Sequence, residues 1–247
     1  MINEQWAHFF KDLYTPSENP SFCNEKRSEI IGEFNDIMSK LPSDTSSFNH
    51  VTLEEFRKVC DSAKRNKACG PDGCFYENFK FCSDILSITC VRLFNAMLRY
   101  SYFPNVLKRG EIIVIHKGGN KSQTDPNNYR AITLSSVILK LYESIILTRM
   151  QECSFKISKL QGGFQKGISC LMTSFLFREC NSYVCENGSK LYTCFLDVKQ
   201  AFDRVWHEAL MVKLYHTNID VYLFKSILRV LPTFVYKKLP SVFKSIL

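Results

Sequence analysis

Apolar positions recur every three or four residues along most of this chain, and only a few short runs crowd or alternate as strands do. Ile30, Phe34 and Ile37 share a helical face and predict a helix over about residues 25–40. It stops near Pro42, and the polar stretch at 43–50 reads as a loop. Thr52 opens the next helix, with Glu55 three residues on, which is the spacing of a capping box. That helix is expected to carry Lys64, Arg65 and Lys67 at its C-terminal end, until Gly70-Pro71-Asp72-Gly73 breaks it. A helix over about 84–100 follows, with Leu86, Cys90, Leu93 and Met97 as its apolar stripe and Pro104 beyond its end. Residues 111–116 predict a strand, 117–120 a turn, and 131–134 a short apolar stretch after a polar loop.

Helices are expected over about 136–153, with Ile138, Leu141 and Ile145 on one face, and over about 170–186, ending at the turn signal Asn187-Gly188. A strand over 190–197 and a helix over about 202–216, with Val205, Ala209 and Val212 aligned, complete the pattern. Helices dominate and the order is not a regular βαβα alternation, so the fold class is α+β.

Charge adds one thing to this picture. Lys plus Arg is 32 against 24 for Asp plus Glu, a net charge of +8, which suits a polyanion partner such as nucleic acid. The 11 cysteines contain no Cys-x-x-Cys pair, which argues against a zinc site of the usual spacing. Cys60, Cys90 and Cys194 read as small buried hydrophobes of a reducing compartment. Neither a signal peptide nor an apolar run of membrane-spanning length is legible, so an intracellular location, nucleus or cytoplasm, is expected.

Asp197 is the residue with the sharpest chemistry. A carboxylate ending an apolar, β-prone run is costly to desolvate unless it is paired, caps the next turn, or meets a cation. Hard divalent cations take carboxylate and carbonyl oxygens, and phosphoryl-transfer sites use them in pairs.

The surrounding residues carry a resemblance. Residues 195–203, FLDVKQAFD, resemble the first catalytic block of reverse transcriptases from non-LTR (LINE-type) retrotransposons. Upstream, and in that family's order, ACGPDG at 68–73, IVIHK at 113–117, NNYRAITL at 127–134 and QGGFQKG at 161–167 resemble its fingers and template-side blocks. The resemblance implies the fingers and partial palm of a right-hand polymerase. It divides the chain into an N-terminal segment (1–50), a fingers-like region (51–190), a partial palm (191–228) and an irregular tail (229–247).

It also implies roles. Asp197 would bind two Mg²⁺ ions, with the Val198 carbonyl beside it. Lys117 and Arg130 would grip the triphosphate of a dNTP, for which a Lys point charge and an Arg fork are suited. Phe202 would favour dNTPs over rNTPs. Gln165 and Lys166 would touch nucleic acid, and the partners would be an RNA template and a DNA primer. Asp203 reads as a cap or turn brace, and Gly70 and Gly73 as backbone shape.

The sequence departs from the family's pattern in places. Gln165 stands where Arg is common, Gln200 where Lys is, and Cys170 where Thr is. No adjacent Asp-Asp pair occurs, and after Asp203 the acids are Glu208 and Asp220. The pentapeptide FKSIL recurs at 224–228 and 243–247. The expectation is therefore an RNA-directed DNA polymerase family domain whose chain, as given, is an inactive fragment. The alternative is a non-catalytic nucleic-acid-binding protein. Exposed apolar helix faces and an unpaired strand edge are expected to favour aggregation.

Overall fold

The computed structural model describes residues 2–14, 23–42, 49–153, 158, 160–164, 167–197 and 205–230. Among them the chain forms nine helices and one antiparallel hairpin, the helix-rich α+β arrangement that the apolar spacing predicts. The order is α1 (Ile2–Tyr14), α2 (Asn24–Lys40), α3 (Leu53–Ser62), α4 (Tyr76–Lys80), α5 (Asp84–Tyr100), β1 (Gly110–His116), β2 (Tyr129–Ser135), α6 (Val137–Glu152), α7 (Cys170–Glu186), α8 (His207–Tyr215) and α9 (Val221–Val230).

The core is built around α6. Val137, Leu139, Leu141, Tyr142, Ile145, Ile146 and Met150 are all buried, so this helix is apolar on more than one face. Four buried rings tie its neighbours together in edge-on contacts. Phe56 of α3 meets Phe94 of α5 at 5.9 Å between centroids, Phe94 meets Tyr142 at 5.3 Å, and Phe103 meets Tyr142 at 5.0 Å. Such pairs add to the stabilisation from buried area alone. On the far side, α2 packs on α8, and α9 lays Leu223, Phe224 and Ile227 against α5 and α8.

One ion pair reaches into this core. Arg149 of α6 donates from Nε to Glu55 Oε1 at 2.9 Å and from Nη2 to Glu55 Oε2 at 3.0 Å. It also donates to the carbonyls of Asn49 at 2.6 Å and His50 at 2.9 Å. Glu55 is at the same time the second half of the capping box. The Thr52 N–H donates to Glu55 Oε2 at 2.8 Å, and the Glu55 N–H donates to Thr52 Oγ1 at 3.1 Å. Burial pushes the Glu55 carboxyl up, but the hydrogen bonds from Arg149 and Thr52 outweigh it and hold the group below its ordinary value.

Several expectations are corrected. The third helix stops at Ser62, so Lys64, Arg65 and Lys67 lie past its end. Its last turn is tied off instead by the Ala63 N–H on Cys60 O at 3.3 Å and by Lys80 Nζ on Asp61 O at 2.6 Å. On α5 the buried stripe is Ser87, Cys90, Phe94, Met97 and Leu98, and Leu86 faces solvent. Ser87 can be buried because its hydroxyl donates back to Ser83 O at 3.2 Å. Residues 191–197 are exposed and make no strand; the β-prone composition is there, but no strand among the described residues offers a ladder. Cys60 and Cys90 are buried, with thiols pushed up by burial to about 12 and about 11, whereas Cys194 is exposed.

Helix α7 has the expected bounds, yet none of its residues is buried; Leu171, Met172, Phe175, Leu176 and Phe177 are exposed. Helices α1, α4 and α9 are not among those that the apolar spacing predicts. The first FKSIL copy lies in α9 and the second outside the described residues. No helix among the described residues is long and apolar enough to cross a membrane.

Replacing Arg149 by Met should lower the unfolding free energy by about 3 kcal/mol, because it strands a partly buried carboxylate and two carbonyls. Glu55 has a depressed value in the folded state, so its contribution is complete above the ordinary 4.5 and fades as the pH falls through the folded value. Urea titrations of both proteins over a pH series should show the gap between them closing in acid; a gap that stays constant would contradict the assignment.

Candidate functional site

The β1–β2 hairpin positions the two cations that the sequence singles out. Its register is Gly110↔Ser135 through Ile113↔Ile132 and Ile115↔Arg130 to His116↔Tyr129. Residues directly opposite in an antiparallel pair point to the same side. One face therefore carries Ile113, Ile115, Ile132 and Arg130, all exposed, and the other carries half-buried Ile112, Val114, His116, Tyr129 and Ala131. The inner face is held by α1, where Trp6 meets the Tyr129 ring at 5.1 Å, and by the His116–Tyr129 contact at 5.0 Å.

Lys117 extends the ladder by one step, its N–H donating to Asn128 O at 2.8 Å. Two residues beyond Ile115, it shares the outer face with Arg130 as a diagonal cross-strand neighbour. Its ammonium rests on Asn127 O at 2.5 Å. The loop between the strands is braced by Asp125, which accepts from the Asn127 N–H at 2.9 Å and from Asn127 Nδ2 at 3.0 Å. Those two bonds, with the Lys117 charge in support, hold the Asp125 carboxyl below its ordinary value. Arg130 is exposed and has no hydrogen-bond or ion-pair partner among the described residues.

The base of the hairpin is fixed by a close approach. A Cβ on Gly70 would lie 2.5 Å from Ser135 O and 2.9 Å from Ser136 N, so the Gly-Pro-Asp-Gly turn docks backbone to backbone on the β2–α6 junction. The Gly73 N–H closes that turn on Gly70 O at 3.0 Å, and Gly73 itself sits at φ +66°. Both glycines thus serve backbone shape, as the sequence suggests. Lys140 of α6 faces the turn, near Asp72 and Cys69; burial lowers its ammonium value, against the pull of Glu143 and Asp72.

Asp197 lies on the segment that follows α7. Helix α7 ends in a Schellman motif, with the Gly188 N–H on Cys185 O and the Ser189 N–H on Val184 O, both at 3.0 Å. Gly188 takes φ +70°, which is the physical content of the Asn-Gly signal. The chain then continues as an exposed segment. Phe195 meets Phe177 of α7 at 5.5 Å, and Asp197, the last described residue of this segment, is exposed.

Among the described residues no hydrogen bond or ion pair joins Asp197 to Lys117 or Arg130, and no group of three His, Cys, Asp or Glu side chains gathers into a metal site. A single solvated carboxylate does not make a two-cation site, so the donor set described does not fit a Mg²⁺ pair by itself. Gln165, Lys166, Val198, Phe202 and Asp203 lie outside the described residues.

Comparison with known proteins adds a family. The model for reverse transcriptase (RNA-dependent DNA polymerase) matches residues 115–244. An RNA-directed DNA polymerase from mobile element jockey of Drosophila melanogaster is 34% identical over 217 residues, covering 85% of this chain and 22% of that protein. Its counterpart from Drosophila funebris is 33% identical over 200 residues, 78% of this chain and 21% of that protein. A probable RNA-directed DNA polymerase from transposon X-element of Drosophila melanogaster is 36% identical over 170 residues, 66% of this chain and 18% of that protein. The chain spans about a fifth of the length of these relatives.

Two glycine substitutions should act with opposite sign. Gly70→Ala drives a methyl into backbone atoms and should cost about 1–3 kcal/mol. Gly32→Ala, in α2 with nothing near its Cβ, should gain up to about 1 kcal/mol from helix propensity. Denaturant midpoints at unchanged m-value check both; a neutral Gly70→Ala would refute the docking of the turn.

Proposed function

Since the chain belongs to the reverse transcriptase (RNA-dependent DNA polymerase) family, we propose that it is the nucleotide-gripping part of an RNA-directed DNA polymerase of a LINE-type element. The register of the hairpin carries this reading. Lys117 and Arg130 share one exposed face, one as a point charge and one as a fork, at the spacing of a diagonal cross-strand pair. Charge-assisted bonds of this kind suit the triphosphate of a dNTP.

In the same reading Asp197 would supply one carboxylate, and Val198 one carbonyl, toward two Mg²⁺ ions, a set that further donors would have to complete. Phe202 shapes the sugar side of the nucleotide, and Gln165 and Lys166 touch nucleic acid. The substrates are an RNA template, a DNA primer and dNTPs. Asp197 stands without an Asp-Asp block in these 247 residues, so the chain by itself binds without polymerising. The net charge of +8 favours a second reading, a retroelement-derived nucleic-acid binder with no catalysis.

Titration with a fluorescent dNTP should show about tenfold weaker binding for Arg130→Gln and for Lys117→Gln, the scale of one charge-assisted bond. Primer extension on RNA with Mg²⁺ should give no incorporation. Incorporation that Asp197→Ala abolishes would overturn the inactive reading, and unchanged nucleotide binding in both variants would overturn the grip. Binding to an RNA–DNA duplex that ignores salt would reject the second reading.

A further inference from the structure

We propose that the junction between α3 and α4 is a separate site for single-stranded nucleic acid, with Phe81 and Phe75 as stacking surfaces and Lys64, Arg65 and Lys67 as phosphate contacts. The site uses none of Lys117, Arg130 or Asp197, and it does not rest on the triphosphate reading.

The first observation is that two aromatic rings stand in solvent on firmly held backbone. Phe81 is 66% exposed and Phe75 45%. Between them Phe79 is buried in the core and anchors α4. The Phe75 N–H donates to Asn78 Oδ1 at 2.7 Å, and the Phe81 N–H to Glu77 O at 3.1 Å. Exposure here is thus not a product of a loose segment: the helix buries one ring and turns the two flanking ones outward.

The second observation is the charge beside them. Lys64, Arg65 and Lys67 are all exposed on the segment that follows α3. The Arg65 guanidinium lies 5.1 Å from the Phe81 ring centroid. A guanidinium stacked on one side of a ring leaves its other side open to a second planar group. Asn66 bends the segment with φ +56°, and its N–H donates to Glu77 Oε1 at 2.7 Å. That bond and the Lys80–Asp61 carbonyl bond lock the basic segment to α4. Four cations, Lys64, Arg65, Lys67 and Lys80, face two carboxylates, Asp61 and Glu77, so the patch is net positive.

The third observation is a hollow beside Phe75 and Lys67. A cavity of about 540 Å³ is lined by Asn66, Lys67, Ala68, Phe75, Glu77 and Asn78. Its lining brings together the Phe75 ring, the Lys67 ammonium, the Asn66 and Asn78 amides and the Glu77 carboxylate. Unpaired bases present flat faces to rings and a phosphate to cations at every step, which is the combination that single-strand binders use. An acidic peptide would meet the cations and leave the rings unfilled.

Fluorescence anisotropy of the full chain with a labelled oligothymidylate tests the site. Phe81→Ala and Phe75→Ala should each weaken binding about tenfold, the scale of one lost stack. Phe81→Trp should restore it and Phe81→Leu should not. Lys64→Gln with Lys67→Gln should flatten the salt dependence. Phe81→Ala should bind the fluorescent dNTP as the unmodified chain does, which separates this site from the nucleotide grip. Circular dichroism melts check that each variant folds. Three results would overturn the proposal: unchanged binding by Phe81→Ala, full rescue by Phe81→Leu, or competition by poly-glutamate that Phe81→Ala leaves intact, the last pointing to an acidic protein partner.

Discussion

Arg149 is the constraint on which the helical core depends. A guanidinium inside an apolar cluster is tolerable only when nearly all its donors are used. Here they are spread over Glu55, Asn49 O and His50 O, and Tyr222 of α9 interacts with the same group. The pair therefore does three things with one side chain. It completes the capping box of α3, it ties down the chain entering α3, and it links α6 to α9. The ring series Phe56, Phe94, Tyr142 and Phe103 packs the same helices together.

The hairpin is held at its inner face by α1 and at its base by the turn that docks on the β2–α6 junction. Trp6 covers Tyr129, and the Gly70 backbone lies against Ser135 where only a residue without Cβ fits. With those two attachments made, the alternation of the strands leaves Arg130, Lys117 and three isoleucines outward. Positioning of the cations is therefore a consequence of register: slipping β2 by one residue would turn Arg130 inward. The α7 unit is different in kind. It closes on itself through the Schellman turn and the Phe177–Phe195 contact and exposes a broad apolar face.

What could be read in advance follows from how local each signal is. Helices α5 and α7 have the bounds that apolar spacing and turn residues predict, and the Thr52–Glu55 capping box is made as written. The two glycines of the Gly-Pro-Asp-Gly turn have the backbone roles their residue type suggests. The readings that failed needed a distant partner. Residues 191–197 have strand composition without a ladder, and Leu86 loses its place in the stripe because the partners of α5 take the next face, with Ser87 buried by its own hydrogen bond. Cys194 followed the fate of its segment into solvent.

The candidate site divides in the same way. Residue type and order along the chain determined the family and singled out Lys117, Arg130 and Asp197 as candidates for its chemistry, because a motif is a property of adjacent residues. They also determined the helix-rich composition, the caps and the turns, whose energetics are settled within one or two helical turns. Only the tertiary structure decided that Lys117 and Arg130 share a face, that Arg149 and Glu55 meet across 94 positions, and that α7 stays uncovered. Those outcomes depend on which surfaces meet, and burial and pairing between distant segments are summed over the whole molecule, so no local stretch of sequence contains them.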